Sequence, residues 1–243
     1  MNYRVTLANN YLVGKGVEFG ALHNPLQVDR QKAVVLYADK YSKSDLIENF
    51  PELRKVQESI VETNIFLNLD RDNLQALIEH DFDFYIANHV IEHLVNPLKF
   101  LDRLNRIIKP GSYLYLAVPN KEYTFDRQRK LTTWEHLYQE YRENTTRLSN
   151  EHLEDFIINI TKDHINDPVR KKEMYDDYAN WFKRRSIRRK HRQRSIHVHV
   201  WNQDSFDKFI TKAIEKLELD LNIVDRINSN LSKHEIIYIL QKN

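Results

Sequence analysis

The chain has 243 residues, 41% hydrophobic and 30% charged, with a formal net charge of +2. That suits one α/β domain with a sizeable core, or a core with a cap, and the near-balanced charge creates no global field that demands nucleic acid or a membrane. The absence of cysteine excludes disulfides, thiolate catalysis and thiolate metal sites; with no apolar leader or spanning run, a cytoplasmic protein is the expectation.

Residues 1–14 are mixed and read as a short lead-in. A strand is expected over 15–19, running into Gly20 and Ala21, after which Leu22-His23-Asn24-Pro25 blocks an immediate helix. A β-branched run over 33–37 predicts a second strand that stops at Ala38-Asp39. Residues 45–55 read as helix interrupted by Pro51, 64–67 as a third short strand followed by Asn68, Asp70 and Asp72, and 74–80 as helix. The segment 81–126 organises the rest. Its apolar run over 82–87 predicts a strand covered on both faces. Asn96 and Pro97 then open a helix as N-cap and first helical residue, with Leu98, Leu101, Leu104, Ile107 and Ile108 as its stripe. Pro110-Gly111 ends that helix, and 113–118 forms the next buried strand.

From 123 to 199 the pattern turns helical (132–144, 150–164 and 167–185), too long for a connection and so a cap inserted after the fifth strand. An amphipathic helix over 204–217 returns to the core. Strands over 219–225 and 235–240 are joined by the polar turn 227–233, which can only link antiparallel neighbours. The expected architecture is an α/β, mostly parallel sheet with a terminal antiparallel hairpin. Residues 1–122 and 200–243 build the core, and 123–199 the helical cap. Polar residues close successive strands: Glu18, Asp39, Asn68 or Asp70, then Asn88-His89. In an open parallel sheet that is the ligand-binding end, here a nucleotide-type pocket.

Four stretches carry a resemblance to the class I S-adenosylmethionine-dependent methyltransferases, which have a Rossmann-like fold. GVEFGALHNP looks like the family's first motif and LYADK like its second. FDFYIANHVIEHLVNPLKFLDRLNRIIKPG looks like the central motif, with its glutamate–histidine pair and proline–glycine stop. VPNKEYTFDRQRKLTTWEHLYQEY and IHVHVW are similar to a narrower bacterial subgroup often encoded among surface-polysaccharide genes. One departure is the single Gly20 where the family has a glycine-rich turn; the narrower subgroup shares the ALHNP form, so the methionine end is held differently.

The resemblance implies S-adenosylmethionine as cofactor, with Glu18, Gly20, Ala21, His23, Asp39, Asp70, Asn88 and His89 around it. Glu18 would face the ammonium or an ordered water, Asp39 the ribose hydroxyls, and Asp70 or Leu69 the adenine. His89 is the candidate general base, since an imidazole titrates near neutrality and stands where the methyl points; His93, Asp126 and His136 complete the catalytic candidates. Tyr123, Arg127, Arg129, His197 and His199 are expected on the acceptor side, the two arginines clasping a phosphate or carboxylate. His197 and His199 alternate, so extended backbone points both one way. Glu92 and His93 are expected to order their loop or face the acceptor, and no metal site is expected. The implied reaction is O-methylation of a small or glycan-type acceptor. The run 183–194, with eight Lys or Arg in twelve residues and Trp181-Phe182 as its anchor, leaves an RNA methyltransferase as the alternative, beside a non-catalytic binding domain. Oligomeric state is not readable.

Overall fold

The strand expected from the central apolar run is Phe84–Asn88 (β4), every residue of it buried. In the computed structural model, which describes residues 3–165, 168–193, 195–227, 231–232 and 234–243, β4 lies between Gly14–Phe19 (β1) and Tyr113–Pro119 (β5). Both are parallel to it. Ala33–Asp39 (β2) and Ile65–Phe66 (β3) continue the parallel sheet beyond β1. On the other side Glu235–Lys242 (β7) pairs antiparallel with β5, and Leu221–Ile227 (β6) pairs antiparallel with β7. The order is β3-β2-β1-β4-β5-β7-β6, so the hairpin enters with its last strand innermost.

Alternation along the strands divides the core into two faces. Tyr85, Ala87, Leu114, Leu116 and Val118 pack against Leu98, Leu101 and Leu104 of Pro97–Ile107 (α3), reached after Tyr3–Tyr11 (α1) and Lys43–Asn49 (α2). On the opposite face Phe84, Ile86, Tyr115, Ala117, Ile237 and Ile239 meet Leu7 and Ala8 of α1, Leu12, and the loop residue Leu26. Burying each large side chain stabilises the fold by roughly 1.5–3 kcal/mol. The lead-in is thus a helix, and it supplies one wall of the core.

Local signals act as expected at α3: Asn96 Oδ1 accepts the Lys99 N–H at 2.9 Å, and Pro97 occupies the first turn. Pro51 ends α2 and converts the following chain to 3-10 helix over Pro51–Ser59. The helical region comprises Trp134–Arg142 (α4), Asn150–Asn159 (α5), Pro168–Asn180 (α6) and Arg185–Gln193 (α7); Gln203–Lys216 (α8) then covers the sheet. Leu137 of α4 joins the main core. Leu153, Phe156, Met174, Trp181, Ile187 and Ile196 form a separate cluster of α5–α7 and the strap that follows. The chain breaks between α6 and α7, so the helix expected over 167–185 is two. Asp167 of that range, Arg194 of the basic run, and 228–230 and 233 of the hairpin turn lie outside the described residues. Among the described residues no helix is long and apolar enough to cross a membrane.

Gly16 pairs with Phe84, and a Cβ built on it would lie 2.0 Å from Phe84 Cε2. Gly16→Ala is therefore expected to cost about 1–3 kcal/mol through overpacking. A thermal melt checks it: a melting temperature equal to wild type would show that the two central strands are less tightly apposed.

Candidate active site at the strand ends

At the end of β1, Glu18 is fully buried and both its oxygens accept the Leu26 N–H at 3.0 Å. The carboxylate thereby pins loop 20–26, where Gly20 (φ 57°) and Leu22 (φ 50°) make the left-handed turns that a glycine-rich run would otherwise supply. Burial pushes the Glu18 carboxyl up to about 7, against the opposing pull of the Leu26 N–H and Arg4. The structure gives Glu18 a backbone partner where the resemblance implied a ligand ammonium. A Cβ at Gly20 would touch Val90 at 3.7 Å, so the loops after β1 and β4 face each other. Ala21 is half-buried and His23 exposed.

Asp39, half-buried at the end of β2, accepts the Tyr41 N–H at 3.0 Å, and burial raises its carboxyl. Asp70 follows β3 and accepts the Val95 N–H at 2.8 Å; burial raises it too. Asn88 Oδ1 accepts from the Arg4 guanidinium at 2.6 Å, which brings α1 over the same end of the sheet.

His89 takes a left-handed conformation (φ 55°) just past β4. Its Nε2 is 3.2 Å from Glu235 Oε2 and its Nδ1 3.4 Å from Glu92 Oε1. Burial alone would lower this imidazole, but the two carboxylates overrule it and hold it up to about 9. The ring thus sits between two carboxylates, a different setting from the open one expected of a general base. Glu92 is wholly buried; burial opposes its ionisation, and the facing His89 and His93 hold it below the ordinary carboxylate range.

A second layer comes from the strap 196–201. His93 Nδ1 meets the Ile196 carbonyl at 2.8 Å, and burial pushes this ring down to about 4. His197 packs against His93 with ring centroids 4.8 Å apart, and its Nδ1 is 2.6 Å from Asp126 Oδ2. Burial opposes ionisation of Asp126, but His197 and Arg129 hold it below the ordinary range. Arg129 is buried, donating to Asp126, Asp155 and the carbonyls of His197 and Val198. It is an interior strut, which corrects its expected place as an acceptor clasp.

His199 does not point with His197, because the Val198 and His199 N–H groups both reach the Glu92 carbonyl, at 2.7 and 3.1 Å, and so break the extended alternation. His199 joins a separate group with His136, Glu140 and His152; His136 is therefore apart from His89. Tyr123 and Arg127 are exposed beyond β5, with Tyr123 edge-on to His234. In the basic run Lys190 pairs with Glu173 and Asp177, and His191 with Asp177. Trp181 is buried, but Phe182 is 74% exposed and anchors nothing among the described residues. Arg4, Glu140, His152 and Glu235 were not singled out by sequence; only Glu140 carried a signal, four residues after His136 on one helix.

A methyltransferase-domain family model matches residues 20–158, more than half of the chain. The chain belongs to this family, the S-adenosylmethionine-dependent methyltransferases. Among curated proteins it is similar to a mitochondrial ubiquinone biosynthesis O-methyltransferase of Dictyostelium discoideum, 35% identical over 66 residues. That stretch is 27% of this chain and 18% of the relative. Among solved structures, a protein from Rhodobacter sphaeroides provisionally named a Zn-dependent alcohol dehydrogenase shares the fold (TM-score 0.53, 12% identity, 98% of this chain and 87% of that one). An S-adenosylmethionine-dependent methyltransferase from Clostridium acetobutylicum aligns with TM-score 0.47 at 8% identity, over 98% of this chain and 87% of that one.

Two titrations check these electrostatics. Because the folded Glu18 carboxyl is raised from 4.5 to about 7, its contribution to stability is complete below the unfolded value and is lost as pH rises through 7, on the order of 3 kcal/mol in all. Glu18→Gln should flatten the fall in melting temperature over that window; an unchanged slope would place the titration elsewhere. By NMR, His89 should titrate near 9 and shift downward in Glu235→Gln; a wild-type value near 6.5 would refute the two-carboxylate account.

Proposed function

We propose that this methyltransferase transfers the methyl group of S-adenosylmethionine to an oxygen of a small or glycan-type acceptor, the glycan class resting on the resemblance of the 118–141 and 196–201 stretches to the polysaccharide-associated subgroup. The donor set fits the cofactor chemically. Asp39 offers carboxylate acceptors for ribose hydroxyls, the Arg4 guanidinium beside Asn88 suits a methionine carboxylate, and loop 20–26 faces the β4 loop closely enough to form one cradle. The cofactor supplies an already activated methyl on sulfonium sulfur. What remains for the chain is to align the acceptor and take its proton.

The observation that carries this reading is the Asp126–His197 contact at 2.6 Å beside His93. A carboxylate on Nδ1 fixes the tautomer and leaves Nε2 to accept a proton, the arrangement of a general base. His197 thereby takes the role expected of His89. His89, held between Glu92 and Glu235, is a positioning residue that holds the β4 loop. Tyr123 and Arg127, exposed past β5, remain the acceptor-side candidates. RNA is the less supported acceptor, because Lys190 and His191 of the basic run are paired within the helical region.

Two measurements test this. Asp39→Ala should weaken S-adenosylmethionine binding by about one to two orders of magnitude in calorimetry, the worth of charge-assisted hydrogen bonds; retained affinity would mean the ribose sits elsewhere, and no binding by the wild type would favour a non-catalytic domain. With formation of S-adenosylhomocysteine as readout against a panel of glycosides and phenols, His197→Gln should lower kcat by roughly 100-fold or more while leaving cofactor affinity unchanged. Equal loss of both would remove His197 from proton transfer.

A further inference from the structure

Away from the strand ends, α4 carries His136 and Glu140 one helical turn apart on a single face. The first turn of α5 presents His152 to that face, its backbone N–H accepted by Ser149 Oγ at 3.1 Å. His136 Nε2 lies 2.9 Å from His152 Nε2 and 3.4 Å from Glu140 Oε2, and His152 Nε2 lies 3.3 Å from Glu140 Oε1. Three donors on a tetrahedral zinc ion, at bond lengths of about 2.0–2.1 Å, stand roughly 3.3 Å apart. The two imidazole nitrogens and the carboxylate, which turns a different oxygen to each of them, already stand at about that spacing.

We infer that His136, Glu140 and His152 form a binding site for a divalent transition-metal ion, zinc foremost, that clips α5 to the core-packed helix α4. Three further observations support it. Glu140 is only 6% exposed and its Oε2 has no hydrogen-bond partner, so a charge-bearing atom is aimed into the cluster without a donor. Among the described residues its ion-pair partners are all histidines; no lysine or arginine neutralises it. The outer contacts are those that metal ligands require. His152 Nδ1 reaches Ser149 Oγ at 3.2 Å, which leaves Nε2 to coordinate. His199 Nε2 lies 3.2 Å from the Val95 carbonyl, which fixes this ring beside the cluster without satisfying Glu140 Oε2. The His136 side chain is 43% exposed, which opens the site to water for the remaining position. An imidazole–carboxylate set without sulfur selects zinc or a neighbouring first-row ion over calcium or magnesium.

The cluster of Glu92, His93 and His197 also brings three potential ligands within 4.8 Å of one another. There, however, His93 Nε2 is 3.8 Å from Glu92, and His89 already supplies the balancing charge. It is the competing location, and the variants separate the two.

The experiment strips the full-length protein with EDTA and titrates Zn²⁺, reading stoichiometry by calorimetry and elemental analysis and the melting temperature in parallel; Co²⁺ then reports geometry by its visible bands. One zinc per chain, a raised melting temperature and tetrahedral Co²⁺ bands are expected. His136→Gln and His152→Gln should each lose stoichiometric binding, and His93→Gln should keep it. Because His136 is exposed, its variant is expected to fold, and circular dichroism confirms that. No zinc uptake by the wild type overturns the inference, as does uptake that survives both His136→Gln and His152→Gln. All these readouts are independent of the methyl acceptor.

Discussion

Glu92 ties the two halves of the site together, and it does so with both its side chain and its backbone. Its wholly buried carboxylate faces His89 and His93, while its carbonyl receives the N–H groups of Val198 and His199. A buried carboxylate is tolerated only when charge partners stand close, so three elements are bound to one another: the β4 loop, the strap and, through His89, the last strand. Removing the carboxylate would leave His89 with a single counter-charge, Glu235.

The same economy appears at Glu18. Where the family's glycine-rich turn would present free N–H groups, this chain keeps one glycine and anchors the loop from inside the sheet, with a buried carboxylate on the Leu26 N–H. Loop position thus depends on a buried carboxyl that burial raises to about 7.

Much of the fold was legible because its signals are local. The apolar run before Asn88, the Asn96-Pro97 start and the Pro110-Gly111 stop fix β4, α3 and β5 without reference to distant chain. The polar residues at successive strand ends were legible for the same reason. What escaped depends on contacts far apart in sequence. Tyr3–Tyr11 has no clear apolar stripe, and its role shows only when Leu7 and Ala8 meet Phe84 and Ile86. Arg4 reaches Asn88 across 84 positions, and Glu235 reaches His89 across 146. Alternation misled at His197 and His199, because two consecutive N–H groups turn to one carbonyl, and the imidazoles separate into different clusters. The second carboxylate beside His89 was not legible because it arrives from the far end of the chain. Phe182 was misplaced because hydrophobicity alone does not distinguish it from the buried Trp181 beside it.

The inversion of the last two strands also decides what the pocket is walled with. Since β7 slots between β5 and β6, its first residue, Glu235, stands opposite Pro119 at the carboxyl end of β5 and beside His89. The terminal hairpin therefore does more than close one edge of the sheet: it furnishes an acidic wall to the strand-end pocket from 146 positions away in sequence.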